Sequence, residues 1–179
     1  MTVEEQRSGQ ATMKDDVWER SRPVADGYGI PETDEGMLEL DTVRERLAAA
    51  QNYWIASASA SGRPHAIPVW GAFLDDVLYF GGGPRTARNL KANPHVSVHL
   101  ESGTEAVILE GPVETVDEPA AALSQAIDDQ CAGKYDWRPS SEGSDPVGKG
   151  WFRLDPTRII AWTQFPADMT RWTRGNRQS

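Results

Sequence analysis

The fold is decided by residues 53–80. They read Tyr53-Trp54-Ile55-Ala56-Ser57-Ala58-Ser59, then Ala60-Ser61-Gly62, then Arg63-Pro64-His65-Ala66-Ile67-Pro68-Val69-Trp70-Gly71-Ala72-Phe73, then Leu74-Asp75-Asp76 ahead of Val77-Leu78-Tyr79-Phe80. Tyr53–Ser59 reads as a strand, Ser61-Gly62 as a turn, and Arg63–Phe73 as a second strand carrying two prolines. Asp75-Asp76 mark another turn before the short strand Val77–Phe80. Proline cannot donate to a ladder, so Pro68 marks an edge, or a place where something other than a neighbouring strand docks.

Outward from this block the pattern repeats. Asp41 is a plausible N-cap, and Val43, Leu47 and Ala50 follow at helical spacing, which predicts a helix over roughly 42–51. Downstream, Arg85–Ala92 reads as a short helix closed by Asn93-Pro94. His95–Leu100 alternates as a half-buried strand with Val96, Val98 and Leu100 on one face. Glu105 to about Val116 is another strand, with a bulge or edge expected at Gly111-Pro112. A helix over roughly Pro119–Ala132, a mobile loop over 138–150 and two final strands, Trp151–Leu154 and Arg158–Phe165, complete the chain. Many short strands with tight turns and few helices indicate an antiparallel barrel or sandwich. Residues 1–36 read as a polar arm, disordered to about Lys14. From Trp18 to Pro31 it is either a floppy leader or an extended segment laid on the surface or across a partner subunit.

At 179 residues the chain suits one domain, and its net charge of −9 argues against nucleic-acid binding. An anionic ligand therefore needs a local cationic pocket. The single cysteine, Cys131, excludes an internal disulfide and a cysteine-based metal cluster. No apolar run of about 18 residues and no secretory pattern is present, so a membrane span is not expected and the expected location is cytoplasmic.

The chemistry is concentrated in Gly81-Gly82-Gly83-Pro84-Arg85-Thr86-Ala87-Arg88-Asn89-Leu90. The glycines let the backbone approach a ligand, and Pro84 is preset for a helix's first residue. The unpaired N–H groups of the first turn make an anion site. Arg85 and Arg88 are neighbours on the helix surface, Thr86 adds a hydroxyl, and guanidinium groups grip phosphate bidentately. The same pattern also suits a solvated helix start whose arginines pair with surface acids. It is neither a P-loop nor a G-x-G-x-x-G turn. Trp70 beside Gly71 could stack on a planar ring or serve the core. Tyr135 and Trp137 could roof a pocket or pack their own loop. His95 and His99 lie about 13 Å apart on a strand, which is no metal site, and they read as exposed.

Taken together, these segments resemble the pyridoxamine 5′-phosphate oxidase-like superfamily, closest to its flavin/deazaflavin oxidoreductases. The resemblance rests on Tyr53–Ala56, Gly62–His65, Pro68–Gly71, Leu78–Phe80, Ala87–Leu90, Asn93-Pro94, Val98–Gly103, Leu109–Gly111 and Thr170–Trp172, and spans roughly Met37–Trp172. It implies a mainly β fold, a six- to seven-stranded antiparallel split β-barrel of the FMN-binding type with peripheral helices. The barrel would cover 37–172, with a tail at 173–179. It also implies a homodimer with cofactor sites at the interface. In that picture His65, Ile67, Pro68, Val69 and Trp70 lie along the ring, and Phe80 and Gly81 beside the ribityl chain. Arg85, Thr86 and Arg88 hold the phosphate, and Trp162, near the end of the last strand, approaches the ring from the other subunit.

The departures are informative. The Arg-Leu-His-Asp-Arg run of true pyridoxamine phosphate oxidases is replaced by Thr170-Arg171-Trp172-Thr173-Arg174, and their phosphate-segment Lys by Thr86. The ring strand carries His65 to Trp70 in place of an Arg-rich motif. The resemblance thus favours a reductase using coenzyme F420, a deazaflavin, on a planar conjugated small molecule, with no obligatory catalytic side chain and no metal. The alternatives are an FMN-dependent oxidase or reductase and a non-catalytic binder of a flavin or tetrapyrrole.

Overall fold

The computed structural model describes residues 18–141 and 150–175. The expected disordered leader over 1–14 and most of the expected mobile loop, 142–149, lie outside the described residues. Ten strands and three helices follow in the order β1 (Trp18–Ser21), α1 (Leu40–Ala49), β2 (Tyr53–Ala58), β3 (Pro64–Val69), β4 (Gly71–Leu74), β5 (Val77–Gly81), α2 (Pro84–Ala92), β6 (His95–His99), β7 (Val107–Thr115), α3 (Ala121–Tyr135), β8 (Trp151–Leu154), β9 (Arg158–Ala161) and β10 (Thr170–Arg174). The pairing order is β1-β10-β9-β7-β6-β2-β3, with β4, β5 and β8 joined through β7. All pairings are antiparallel and the sheet does not close on itself. The fold is mainly β and of the split-barrel kind.

Ten strands replace the expected six or seven for three local reasons. The run Arg63–Phe73 breaks at Trp70, where the chain leaves β2's sheet and pairs with β5 instead. Gly71 makes that corner possible, because a Cβ there would lie 2.7 Å from the Tyr79 carbonyl oxygen. The run Arg158–Phe165 also stops early, at Ala161, and β10 is a further strand running to Arg174, into the stretch expected as tail. The arm contributes β1, an edge strand whose Trp18 packs opposite Arg174. Pro68 does lie on an edge, since β3 ends the pairing order. Gly111-Pro112 does not: β7 is central, and this is where its partner changes from β9 to β8. Gly111 packs there against the backbone of Asp155–Thr157 at 3.1 Å from where a Cβ would stand.

The helix ends shift slightly. α1 starts at Leu40, so Asp41 sits in its first turn, paired with Arg44 at 2.9 Å, and is not the cap. α3 starts at Ala121, just after Pro119. The main core joins Tyr53, Ile55, Val98, Leu109, Ile159 and Trp172 on the inner sheet face to Val43 and Leu47 of α1. A second cluster, including Ala72, Tyr79 and Trp151, packs beneath Ile127 and Cys131 of α3. No helix among the described residues is long and apolar enough to cross a membrane.

Candidate cofactor site

α2 leaves β5 through Gly81–Gly83 and begins at Pro84 with no side chain capping it. Its buried positions are Thr86, Asn89 and Leu90, which share one face at helical spacing. Arg85 and Arg88 fall on the opposite face and are exposed. Among the described residues neither guanidinium is bonded to an acidic side chain, and no side chain satisfies the first-turn N–H groups. The helix thus presents two uncommitted cations beside a positive helix end, a combination suited to a phosphate. Thr86 lies on the inward face at 1 % exposure, so the hydroxyl expected on the phosphate is packed against the body of the chain.

The helix is tied to β2 and, through it, to β3 by a residue to which the sequence assigned no role. Asn89 donates from Nδ2 to Ser57 Oγ at 3.1 Å, and Ser57 pairs across β2 and β3 with His65. The signal was present in the spacing, since Asn89 falls three after Thr86 and one before Leu90. Along β3, His65, Ile67 and Val69 are half-buried, whereas Pro68 and Trp70 are exposed. Phe80 is fully buried against Phe152 and Gly81 is half-buried at the mouth of the α2 loop.

Trp70 stands 51 % exposed at the β3–β4 corner. Its ring stacks on Tyr135 at 4.6 Å and 7°, and lies 5.9 Å from Trp137. The Tyr135 hydroxyl accepts from Gly71 N–H and donates to Gly71 C=O, both at 3.1 Å. Burial pushes the Tyr135 phenol up, so it stays protonated and able to make both bonds. Trp70, Tyr135 and Trp137 therefore form one aromatic wall, fixed to the corner by hydrogen bonds. Trp162 is not within a strand. It follows β9, its N–H donates to Ala106 C=O at 3.1 Å, and it packs on Phe165, apart from the α2 segment.

The outer sheet face carries a row formed by Pro68, Trp54, His99, Ile108, Ile160 and Arg171 across β3, β2, β6, β7, β9 and β10. None of the six is buried, and Trp54 stacks on His99 with the rings parallel, 6.1 Å apart.

The family model described as pyridoxamine 5′-phosphate oxidase matches residues 40–163, which span β2 to β9 and every segment of the site. The chain belongs to the pyridoxamine 5′-phosphate oxidase family. Solved structures agree on the fold. Conserved hypothetical protein Rv2991 of Mycobacterium tuberculosis is 20% identical, with a TM-score of 0.57 over 73% of this chain and 88% of its own. A FAD-binding protein of Mesorhizobium loti is also 20% identical, with a TM-score of 0.54 over 77% and 96%. A heme-binding protein of Mycobacterium smegmatis is 19% identical, with a TM-score of 0.53 over 73% and 55%. A search of curated proteins finds no match.

Proposed function

We propose that this family member is an oxidoreductase that binds coenzyme F420 and, as a homodimer, reduces a planar conjugated small molecule. The observation that carries the reading is the uncapped start of α2, with Arg85 and Arg88 exposed and free of acidic partners among the described residues. Arg85 and Arg88 would hold the cofactor's phosphate, assisted by the N–H groups of the first turn. The strand from His65 to Trp70 would lie along the ring, with Phe80 and Gly81 packing beside the linking chain. Trp162 would close the ring from the second subunit. A deazaflavin is preferred to FMN because β3 presents no Lys or Arg to the ring.

When bound, the deazaflavin supplies the two-electron hydride chemistry. The protein's share is orientation and exclusion of water. The wall of Trp70, Tyr135 and Trp137 presents a rigid aromatic surface, and the Asn89–Ser57 bond keeps the phosphate segment in register with β3. A homodimer fits the uncovered outer row, with its partly exposed Trp54, Ile108 and Ile160, and the free edge of β3.

Titration of purified protein with F420 and separately with FMN, followed by ligand fluorescence, tests the reading. Tight binding of F420, weakened at least about tenfold by Arg85→Ala or by Arg88→Ala, is the expected result, since charge-assisted bonds contribute about 1.5–3 kcal/mol each. Preference for FMN would move the chain to the flavin reading, and binding of neither cofactor would overturn both.

A further inference from the structure

Among the described residues β4 has a strand beside it on one side only, where it pairs with β5. Such an edge offers unpaired backbone groups, and alternate residues turn both their N–H and their C=O toward it. On β4 those residues are Gly71 and Phe73, and what they meet is a helix. The Tyr135 hydroxyl serves both groups of Gly71. Gln130, five residues earlier on α3 and half-buried, serves Phe73. Its Oε1 accepts from Phe73 N–H at 2.5 Å, and its Nε2 donates to Phe73 C=O at 3.0 Å. Two side chains thus satisfy the groups that a neighbouring strand would satisfy, and α3 lies along β4 in that strand's place.

This latch bears on the aromatic wall. Gly71 follows Trp70 directly, and Phe73 lies two residues further on. Tyr135 ends α3, and Trp137 follows Asp136, whose φ of 52° closes the helix in the left-handed region. Trp70 can stack on Tyr135 only while the end of α3 stays level with the β3–β4 corner. Tyr135 holds that level by a single oxygen, about which its ring can pivot. The Gln130 amide grips by two atoms in one plane, and so sets both the distance and the rotation of the helix against the edge. The charged neighbours of Gln130 on α3 are committed elsewhere. Asp128 accepts from Ser140, Asp129 pairs with Arg138, and Lys134 donates to Ala50 and Tyr53.

We propose that Gln130 is a positioning residue: by standing in for a strand at the β4 edge it holds Tyr135 and Trp137 against Trp70, and through them sets the ring end of the cofactor site. That the wall serves a cofactor rests on the reading above. The positioning of the wall does not.

Two substitutions of similar size test it. Gln130→Met keeps the length of the side chain and removes both bonds. Gln130→Glu keeps the acceptor for Phe73 N–H, but its second oxygen faces the Phe73 carbonyl with no hydrogen between them. Protonating that carboxyl restores the donor, and burial beside a carbonyl raises the pH at which this happens. Near-UV circular dichroism reads the stacked rings without ligand, F420 titration reads the site, and melting curves verify that both variants fold. At pH 8 both variants should lose part of the aromatic signal. Both should also bind F420 about three- to tenfold more weakly than wild type, as when the wall is in place roughly a third to a tenth of the time. At pH 5.5 Gln130→Glu should return toward wild type measured at the same pH, and Gln130→Met should not. A role in stability alone would lower the melting temperature and give no acid recovery of affinity. An unchanged aromatic spectrum or wild-type affinity in Gln130→Met overturns the inference, as does a Gln130→Glu chain that acid fails to rescue. If wild type binds no F420, the cofactor reading falls, and the spectra of the two variants alone decide whether Gln130 positions the wall.

Discussion

Replacing Asp76 with Asn should cost about 3 kcal/mol, the low end of what breaking a buried ion pair costs. Asp75 and Asp76 form the β4–β5 turn with φ of 50° and 66°, left-handed values that Asn adopts readily, so the substitution leaves the backbone unstrained. What it removes is charge. Arg44 grips the carboxylate with Nε at 2.7 Å and Nη2 at 2.8 Å, and Trp18 Nε1 donates to it at 3.2 Å. The Asp76 side chain is 9% exposed and Arg44 19%, and Arg44 keeps a second partner in the exposed Asp41, hence the low end of the range. For a chain of this length the melting temperature should fall by about 6–12 °C. Burial pushes the Asp76 carboxyl up, but the hydrogen bonds from Arg44 and Trp18 and the charges of Arg44 and Arg174 outweigh it, and it titrates below its ordinary 3.8. The folded form therefore holds the proton less tightly than the unfolded chain. The stability this confers is complete above the ordinary value and is lost as pH falls through the depressed one. Urea unfolding of both proteins at pH 7 and at steps from pH 5 to pH 3 measures it. A difference under about 1 kcal/mol at pH 7, against the 3 to 5 expected of a buried pair, would refute the pairing argument. A gap that fails to narrow on acidification would refute the titration argument.

Two other changes probe the site's supports. Gly71→Ala should destabilise by about 1–3 kcal/mol, as overpacking against fixed backbone does, and should weaken F420 binding because Trp70 turns on that residue; thermal melts and the cofactor titration read the two effects. Lys134 donates to Ala50 C=O and Tyr53 Oη between the rings of Tyr53 and Tyr135, and burial pulls its ammonium down to about 8. Above pH 8 the unfolded chain holds that proton and the folded chain releases it, so wild-type stability should rise from pH 8 to 9.5 relative to Lys134→Met, a slope that urea unfolding across that range would show or exclude.

Much of the fold was legible because short-range signals and tertiary pairing agree. Alternation in His95–His99 and the Asp75-Asp76 turn fix elements whatever surrounds them. What was not legible depends on partners distant in sequence. The break at Trp70 is set by Tyr79 and Tyr135, eight or more residues away, and β1 exists only because β10 lies beside it. Arg85 and Arg88 were visible as neighbours on a helix. That neither has an acidic partner among the described residues, and that Thr86 faces inward, are facts of packing that no local window contains.

On the proposed reading, two copies of the chain complete each cofactor site between them. The cations of α2 are tied to the His65 end of β3 through Asn89 and Ser57, the aromatic wall stands at its Trp70 end, and Trp162 sits on the loop after β9, at the other side of the pairing order. In the proposed dimer a second copy would supply Trp162 to the planar cofactor gripped by Arg85 and Arg88. The exposed row from Pro68 to Arg171 is the surface such a copy would have to cover. Dimerisation and cofactor binding would then be linked, because each copy completes the other's ring pocket. Cofactor should therefore raise the dimer's stability against dilution, and Ile108→Glu in the middle of the row should lower cofactor affinity without touching Arg85 or Arg88. Sedimentation at several protein concentrations, with and without F420, would show that coupling. An Ile108→Glu chain that stays monomeric yet binds F420 as tightly as wild type would place the whole ring site within one copy.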